Sequence, residues 1–115
     1  MKIAVIGSRE IDFINLDKHL PKECTEIVSG GARGVDSLAA RYARTHGLKL
    51  TEFLPDYDSF GKSAPLIRNK DIVNYSDGVI AFWDGESHGT LHVIDYCEKI
   101  GKPYKIVRMR RKPIF

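Results

Sequence analysis

Short runs rich in Ile, Val and Leu alternate along the chain with longer stretches in which apolar positions recur every three or four residues. Strands repeat their facing every two residues and amphipathic helices every 3.6, so the two kinds of stretch separate cleanly. Residues 2–6 read as a first strand ending at Gly7, 25–28 as a second ending at Ser29-Gly30-Gly31, and 48–54 as a third; 78–82 and 104–107 complete the set. The clearest helix follows the second strand. Val35, Leu38, Ala39, Tyr42, Ala43 and His46 share one face, and Gly47 stands where helices turn into left-handed backbone. Thr90, Val93, Ile94, Cys97 and Ile100 form another stripe, closed by Gly101. A further helix spans 64–75, with Pro65 in the first turn, where a missing amide is tolerated. Residues 12–20 carry a weaker helical pattern ended near Pro21, and the turn formers of 55–63 predict a loop.

Strands joined by helical crossovers make a parallel sheet covered on both faces. Right-handed crossovers then predict a three-layer α/β/α, Rossmann-like, doubly wound sheet of five strands in the order 3-2-1-4-5. The direction of winding reverses between the first and fourth strands, and ligands of such sheets bind outside the carboxyl ends at that crevice. The segments to search are therefore Gly7-Ser8-Arg9, Gly30 to Asp36, and Trp83 to Thr90.

Each segment carries usable chemistry. Gly30, Gly31 and Gly34 let the backbone turn tightly and approach a ligand, and the helix start that follows offers unpaired amides to a phosphate or carboxylate. No Gly-Lys-Ser/Thr follows, so this is not a Walker loop, and no GxGxxG follows the first strand. Asp36 serves either the helix dipole or a ribose. Ser8 donates or accepts, and Arg9 suits a phosphate. Arg68 and Asn69 lie one turn before Ile72 and Val73 and so point inward; a buried Arg needs an internal carboxylate or a ligand anion. Asp84 is an acceptor for a sugar hydroxyl or base amine, Trp83 is either a stacking or a core residue, and Gly89-Thr90 open a second anion-ready helix start.

Charge adds little to this picture. The chain has 115 residues and a net charge of +3, but Arg108, Arg110, Arg111 and Lys112 carry more than that excess, so the rest is slightly acidic. Residues 1–107 read as one domain and 108–115 as a basic tail. Cys24 and Cys97 have no metal-ligand spacing, and His88 and His92, although four apart, lack the acid of an HExxH pattern; neither metal nor cofactor is expected. No run suits a membrane span or signal peptide, so the expected location is cytoplasmic, with no membrane partner.

Taken together, Ile-Gly-Ser-Arg, Ser-Gly-Gly-Ala-Arg-Gly-Val-Asp-Ser-Leu-Ala-Ala, Arg-Asn, Ser-Asp-Gly-Val-Ile-Ala-Phe-Trp-Asp-Gly and Ser-His-Gly-Thr resemble the SLOG superfamily over residues 2 to 107. This group includes the DprA/Smf proteins, the LOG nucleotide phosphoribohydrolases and YspA/YpsA-related domains, and the match is to the small stand-alone YspA-like branch. The resemblance implies a Rossmann-like fold, a homodimer and a nucleotide-like ligand at Gly7, Ser8, Arg9, Gly30, Gly31, Arg33, Gly34, Asp36, Arg68, Asn69, Asp84, Gly89 and Thr90. LOG-type enzymes carry Pro-Gly-Gly-x-Gly-Thr-x-x-Glu; here Gly89-Thr90 match, Arg68 matches the arginine, and Val93 stands where the catalytic Glu would be. A valine neither stabilises an oxocarbenium-like centre nor activates water. The first expectation is thus nucleotide binding or sensing without robust catalysis. The alternatives are a LOG-like N-glycosidase, in which Asp36, Asp84, Glu86 or Asp95 replaces the missing Glu, and DprA-like binding of single-stranded nucleic acid, for which the near-neutral domain is a poor match.

Overall fold

The computed structural model describes residues 1–110; the end of the basic tail, with Arg111 and Lys112, lies outside them. Five strands, β1 (Lys2–Gly7), β2 (Glu26–Ser29), β3 (Lys49–Glu52), β4 (Gly78–Trp83) and β5 (Tyr104–Arg108), pair in the order β3-β2-β1-β4-β5. Every pairing is parallel. This is the expected doubly wound α/β sheet. The helices are α1 (Leu16–His19), α2 (Val35–Thr45), α3 (Tyr57–Phe60), α4 (Ala64–Tyr75) and α5 (His88–Ile100).

Period-two alternation divides the core. Ile3 and Val5 of β1 pack with Ile27, Ile80 and Phe82 against Val35, Ala39 and Ala43 of α2 and Leu16 of α1. Ala4 and Ile6 pack with Val28, Val79 and Ala81 against Ile72 and Val73 of α4 and Val93, Ile94 and Cys97 of α5. The central strands are buried on both faces, which is why they read as unbroken apolar runs.

Several boundaries differ from the sequence expectation. The weak helix of 12–20 contracts to Leu16–His19, capped by Asn15, whose Oδ1 accepts the Lys18 amide at 3.2 Å. The third strand keeps only Lys49–Glu52, because pairing with β2 ends where Ser29 meets Glu52. The expected loop at 55–63 contains α3 and a 3-10 turn, Gly61–Ser63. The last helix begins at His88 on a Ser87 cap, one residue ahead of the expected start at Gly89-Thr90. Arg108, expected to open the tail, closes β5 opposite Trp83. Among the described residues, no helix is long and apolar enough to cross a membrane.

Candidate functional site

The ends of β1 and β4 and the start of α2 are bound to one another by short-range contacts that leave no room for side chains. The Ser8 amide donates to the Phe82 carbonyl at 3.1 Å, and the Ser8 hydroxyl accepts the Asp84 amide at 3.2 Å. The Val35 amide donates to the Ser8 carbonyl at 3.4 Å. Gly34, with φ 75°, makes this approach possible: a Cβ there would lie 2.7 Å from the Ser8 carbonyl oxygen and 2.6 Å from the Arg9 Cα.

A cleft of about 330 Å³ opens where these segments meet α4 and α5. That volume lies at the small end of the roughly 300–1,000 Å³ typical of ligand sites. Of the residues singled out in the sequence, Gly7, Ser8, Arg9, Asp36, Arg68, Asn69, Asp84, Gly89 and Thr90 line it. Gly30, Gly31, Arg33 and Gly34 do not. Gly30 lies beneath it, where a Cβ would come 2.6 Å from Arg68 Nη1 and 3.0 Å from Asp36 Oδ2. Gly31 sits under Leu54, and Arg33 is exposed and pairs with Glu10 at 3.4 Å.

The two helix starts are held differently: α2 has no side-chain cap, whereas Ser87 caps α5. At α2 the molecule uses its own donors. The Gly31 amide donates to Ser29 Oγ at 3.3 Å, the Ala32 amide to Asp36 Oδ2 at 3.2 Å, and the Val35 amide to Ser8. Asp36 thus braces its own loop while one edge of it faces the cleft. Burial pushes its carboxyl above the usual range, although the Ala32 and Gly30 amides and the Arg68 charge act the other way. At α5, Ser87 Oγ accepts the Thr90 amide at 3.3 Å and lies 3.0 Å from the Thr90 hydroxyl. Among the described residues, neither the His88 and Gly89 amides of α5 nor the Asp36 and Ser37 amides of α2 have an acceptor.

Arg68 is partly satisfied from within. Its Nε donates to Asn69 Oδ1 at 3.0 Å, and its Nη1 donates to the Gly30 and Phe53 carbonyls at 2.7 and 3.3 Å. Neither of the sequence's two alternatives, a carboxylate or a ligand anion, anticipates main-chain carbonyls as partners. Burial lowers the Arg68 pKa; the Asp36 charge raises it, and the Arg9 charge lowers it again. Arg9 and Arg68 both line the cleft, and Arg9 has no carboxylate within 4.0 Å among the described residues. Asp84 Oδ1 accepts the Glu86 and Ser87 amides, both at 2.9 Å, which shapes the turn into α5.

Glu10, Ala32, Pro65, Leu66, Ile72, Ser87 and Val93 also line the cleft and escaped the sequence reading as ligand positions. Pro65, Arg68, Asn69 and Ile72 are spaced i, i+3, i+4, i+7, so the helical face that exposed two of them carried the other two as well. Ser87 was signalled by a hydroxyl three residues ahead of Thr90. Among the described residues, no cluster of three or more His, Cys, Asp and Glu side chains is placed to hold a metal.

Fold and cleft define a Rossmann-like α/β domain with a polar crevice at its topological switch point. A family model for the YspA, cpYpsA-related SLOG family matches residues 1–60. The Gene 61 protein of Mycobacterium phage D29 is 37% identical over 93 residues, covering 76% of this chain and 73% of that protein. The chain belongs to the YspA, cpYpsA-related SLOG family. No solved structure matches it.

Proposed function

We propose that the protein binds a nucleotide or nucleotide derivative in this cleft, without robust chemistry of its own. One observation carries the reading: Arg9 and Arg68 line the same cleft as Ser87, Gly89 and Thr90 at the start of α5. Like charges held together in a partly dry site favour an anion between them, and helix-start amides add to the same potential. The phosphate lies between these guanidiniums and the Gly89 end of α5. Asp36, beside Arg68, and Asp84, in the turn into α5, are the acceptors for sugar or base donors. Family membership supports a nucleotide-related ligand at this coarse level.

The test is thermal denaturation with AMP, GMP, CMP and UMP. A ligand at 100 times its Kd is expected to add about 2.7 kcal/mol of stability. Arg9→Ala, at an exposed position, is expected to keep the fold and lose most of that gain. No stabilisation by any nucleotide overturns the reading.

One observation favours a second reading, N-glycosidic hydrolysis. Asp36 is a carboxylate only 7% exposed, lines the cleft, and is held above its ordinary pKa by burial; such groups serve as acids and bases. Val93 leaves the α5 wall without a carboxylate. Free base released by the native chain but not by Asp36→Asn would support hydrolysis, and its absence at high protein concentration would rule it out.

A further inference from the structure

Asn69 is only 9% exposed, lines the cleft, and leaves half of its side chain unused. Its Oδ1 accepts Arg68 Nε at 3.0 Å. A guanidinium nitrogen only donates, so the oxygen must be the end that meets it, and the NH2 is the other end. Turning the amide over would set two donors against each other. Arg68 cannot easily swing away to allow this, because its Nη1 is held by the Gly30 and Phe53 carbonyls at 2.7 and 3.3 Å. The NH2 brings two donors, and among the described residues neither has an acceptor. Nor is it sealed in the core. Among the described residues the one side-chain nitrogen or oxygen enclosed without a partner is His92 Nδ1. The Asn69 NH2 therefore meets open space, and the space Asn69 borders is the cleft. A second buried donor shares it. The Ser8 hydroxyl, 1% exposed, accepts the Asp84 amide and has no acceptor for its own proton among the described residues. Donors left unmatched at this depth are costly, and a ligand acceptor removes the cost. No aromatic side chain lines the cleft to hold a base by stacking.

We propose that Asn69 is a specificity-determining residue: its NH2, locked toward the cleft by Arg68, donates to a phosphate oxygen of the ligand. The proposal rests on the nucleotide reading above and deepens it, because it makes the phosphate, and not the base, the group that this chain selects. Arg68 supplies charge, which any anion satisfies. The amide supplies a neutral donor at a fixed point, which demands an acceptor there. A sugar hydroxyl also accepts, but a phosphate oxygen beside a guanidinium carries charge and makes the stronger bond.

The experiment is calorimetric titration of the full chain and of its Asn69→Ala and Asn69→Asp variants. The ligands are whichever of AMP, GMP, CMP and UMP binds the native chain, the matching nucleoside, and ribose 5-phosphate. Asn69→Ala removes the donor and adds no charge. It is expected to weaken the nucleotide and ribose 5-phosphate alike, roughly 10- to 100-fold, and to change the nucleoside by less than about twofold. Asn69→Asp keeps an oxygen for Arg68 Nε but sets an acceptor where the NH2 stood. It is expected to melt no lower than the native chain and to weaken both phosphorylated ligands at least as much. Unchanged affinities in Asn69→Ala overturn the proposal. So does a loss seen in Asn69→Asp alone, which assigns the effect to the added charge. A nucleoside weakened as much as the nucleotide, or ribose 5-phosphate left unweakened, gives the amide to the sugar or the base and also overturns it. Thermal melting checks that both variants fold; where Asn69→Ala does not, phosphorylated ligands bound by Asn69→Asp as tightly as by the native chain overturn it. If no nucleotide binds the native chain, the nucleotide reading fails and takes this proposal with it.

Discussion

A methyl group added at Gly7 would run into the Phe82 carbonyl oxygen and lie 2.7 Å from Val35 Cγ2, both residues fully buried in the core. Gly7→Ala is therefore expected to cost about 1–3 kcal/mol, read as a lower urea midpoint at unchanged slope. Two buried carboxylates act on stability in opposite senses with pH. The Asp36 carboxyl is held high, so its favourable contribution is complete below its unfolded pKa and vanishes as pH rises through the folded value. Asp36→Asn keeps an oxygen for the Ala32 amide and is expected to raise the melting temperature of the ligand-free protein at neutral pH; the gain shrinks on acidification through the carboxylate range. Burial also acts upward on Glu26, but bonds from Tyr75 at 2.6 Å and Thr51 at 2.7 Å, with the Lys49 and Lys2 charges, outweigh it and hold this group low. Its contribution is complete above the unfolded pKa and is lost as pH falls through the folded one. Glu26→Gln is expected to destabilise at neutral pH, with a deficit that closes in acid. Melting curves from acid to neutral pH distinguish the two signs. The inward aim of Arg68 was legible in its helical spacing to Ile72 and Val73. Its partners were not, because the Gly30 and Phe53 carbonyls belong to strand ends that only the folded sheet brings together.

Among the elements, α2 and α5 were legible because each buries several turns of apolar face. Their starts were harder to read. Thr90 has cap chemistry, but Ser87 holds the cap position and accepts its amide. Ser87→Ala is expected to cost about 0.5–2 kcal/mol by chemical denaturation and to leave the Thr90 amide free at the cleft wall. The short α3 carries no periodic signal in four residues and rests on the Asp56 cap, so turn formers dominated its sequence. The third strand was overread for the opposite reason: the apolar Phe53 and Leu54 follow it, yet pairing with β2 stops at Glu52.

Strand order was legible at the scale of the whole molecule because crossover handedness leaves few ways to thread five parallel strands. The cleft's location followed from that order, whereas the bonds that the loop amides ahead of α2 make within the chain depend on the folded loop. Only a few cations face the cleft, and the domain outside the tail is nearly neutral. Mononucleotide affinity is therefore expected to fall only gently with salt, and a single-stranded oligonucleotide is expected to compete poorly at physiological ionic strength. Fluorescence anisotropy across a salt series would check both; a steep salt slope for the oligonucleotide, abolished by removing residues 108–115, would instead favour nucleic acid.

Arg68 is moored to two backbone oxygens and a neighbouring amide before any guest arrives. The freedom of that long side chain is surrendered during folding, so docking onto it forfeits little further entropy. Among the described residues Arg9 has no such mooring, so a guest would have to still it. If the proposed guest binds there, Arg9 is the arm whose ordering costs it more.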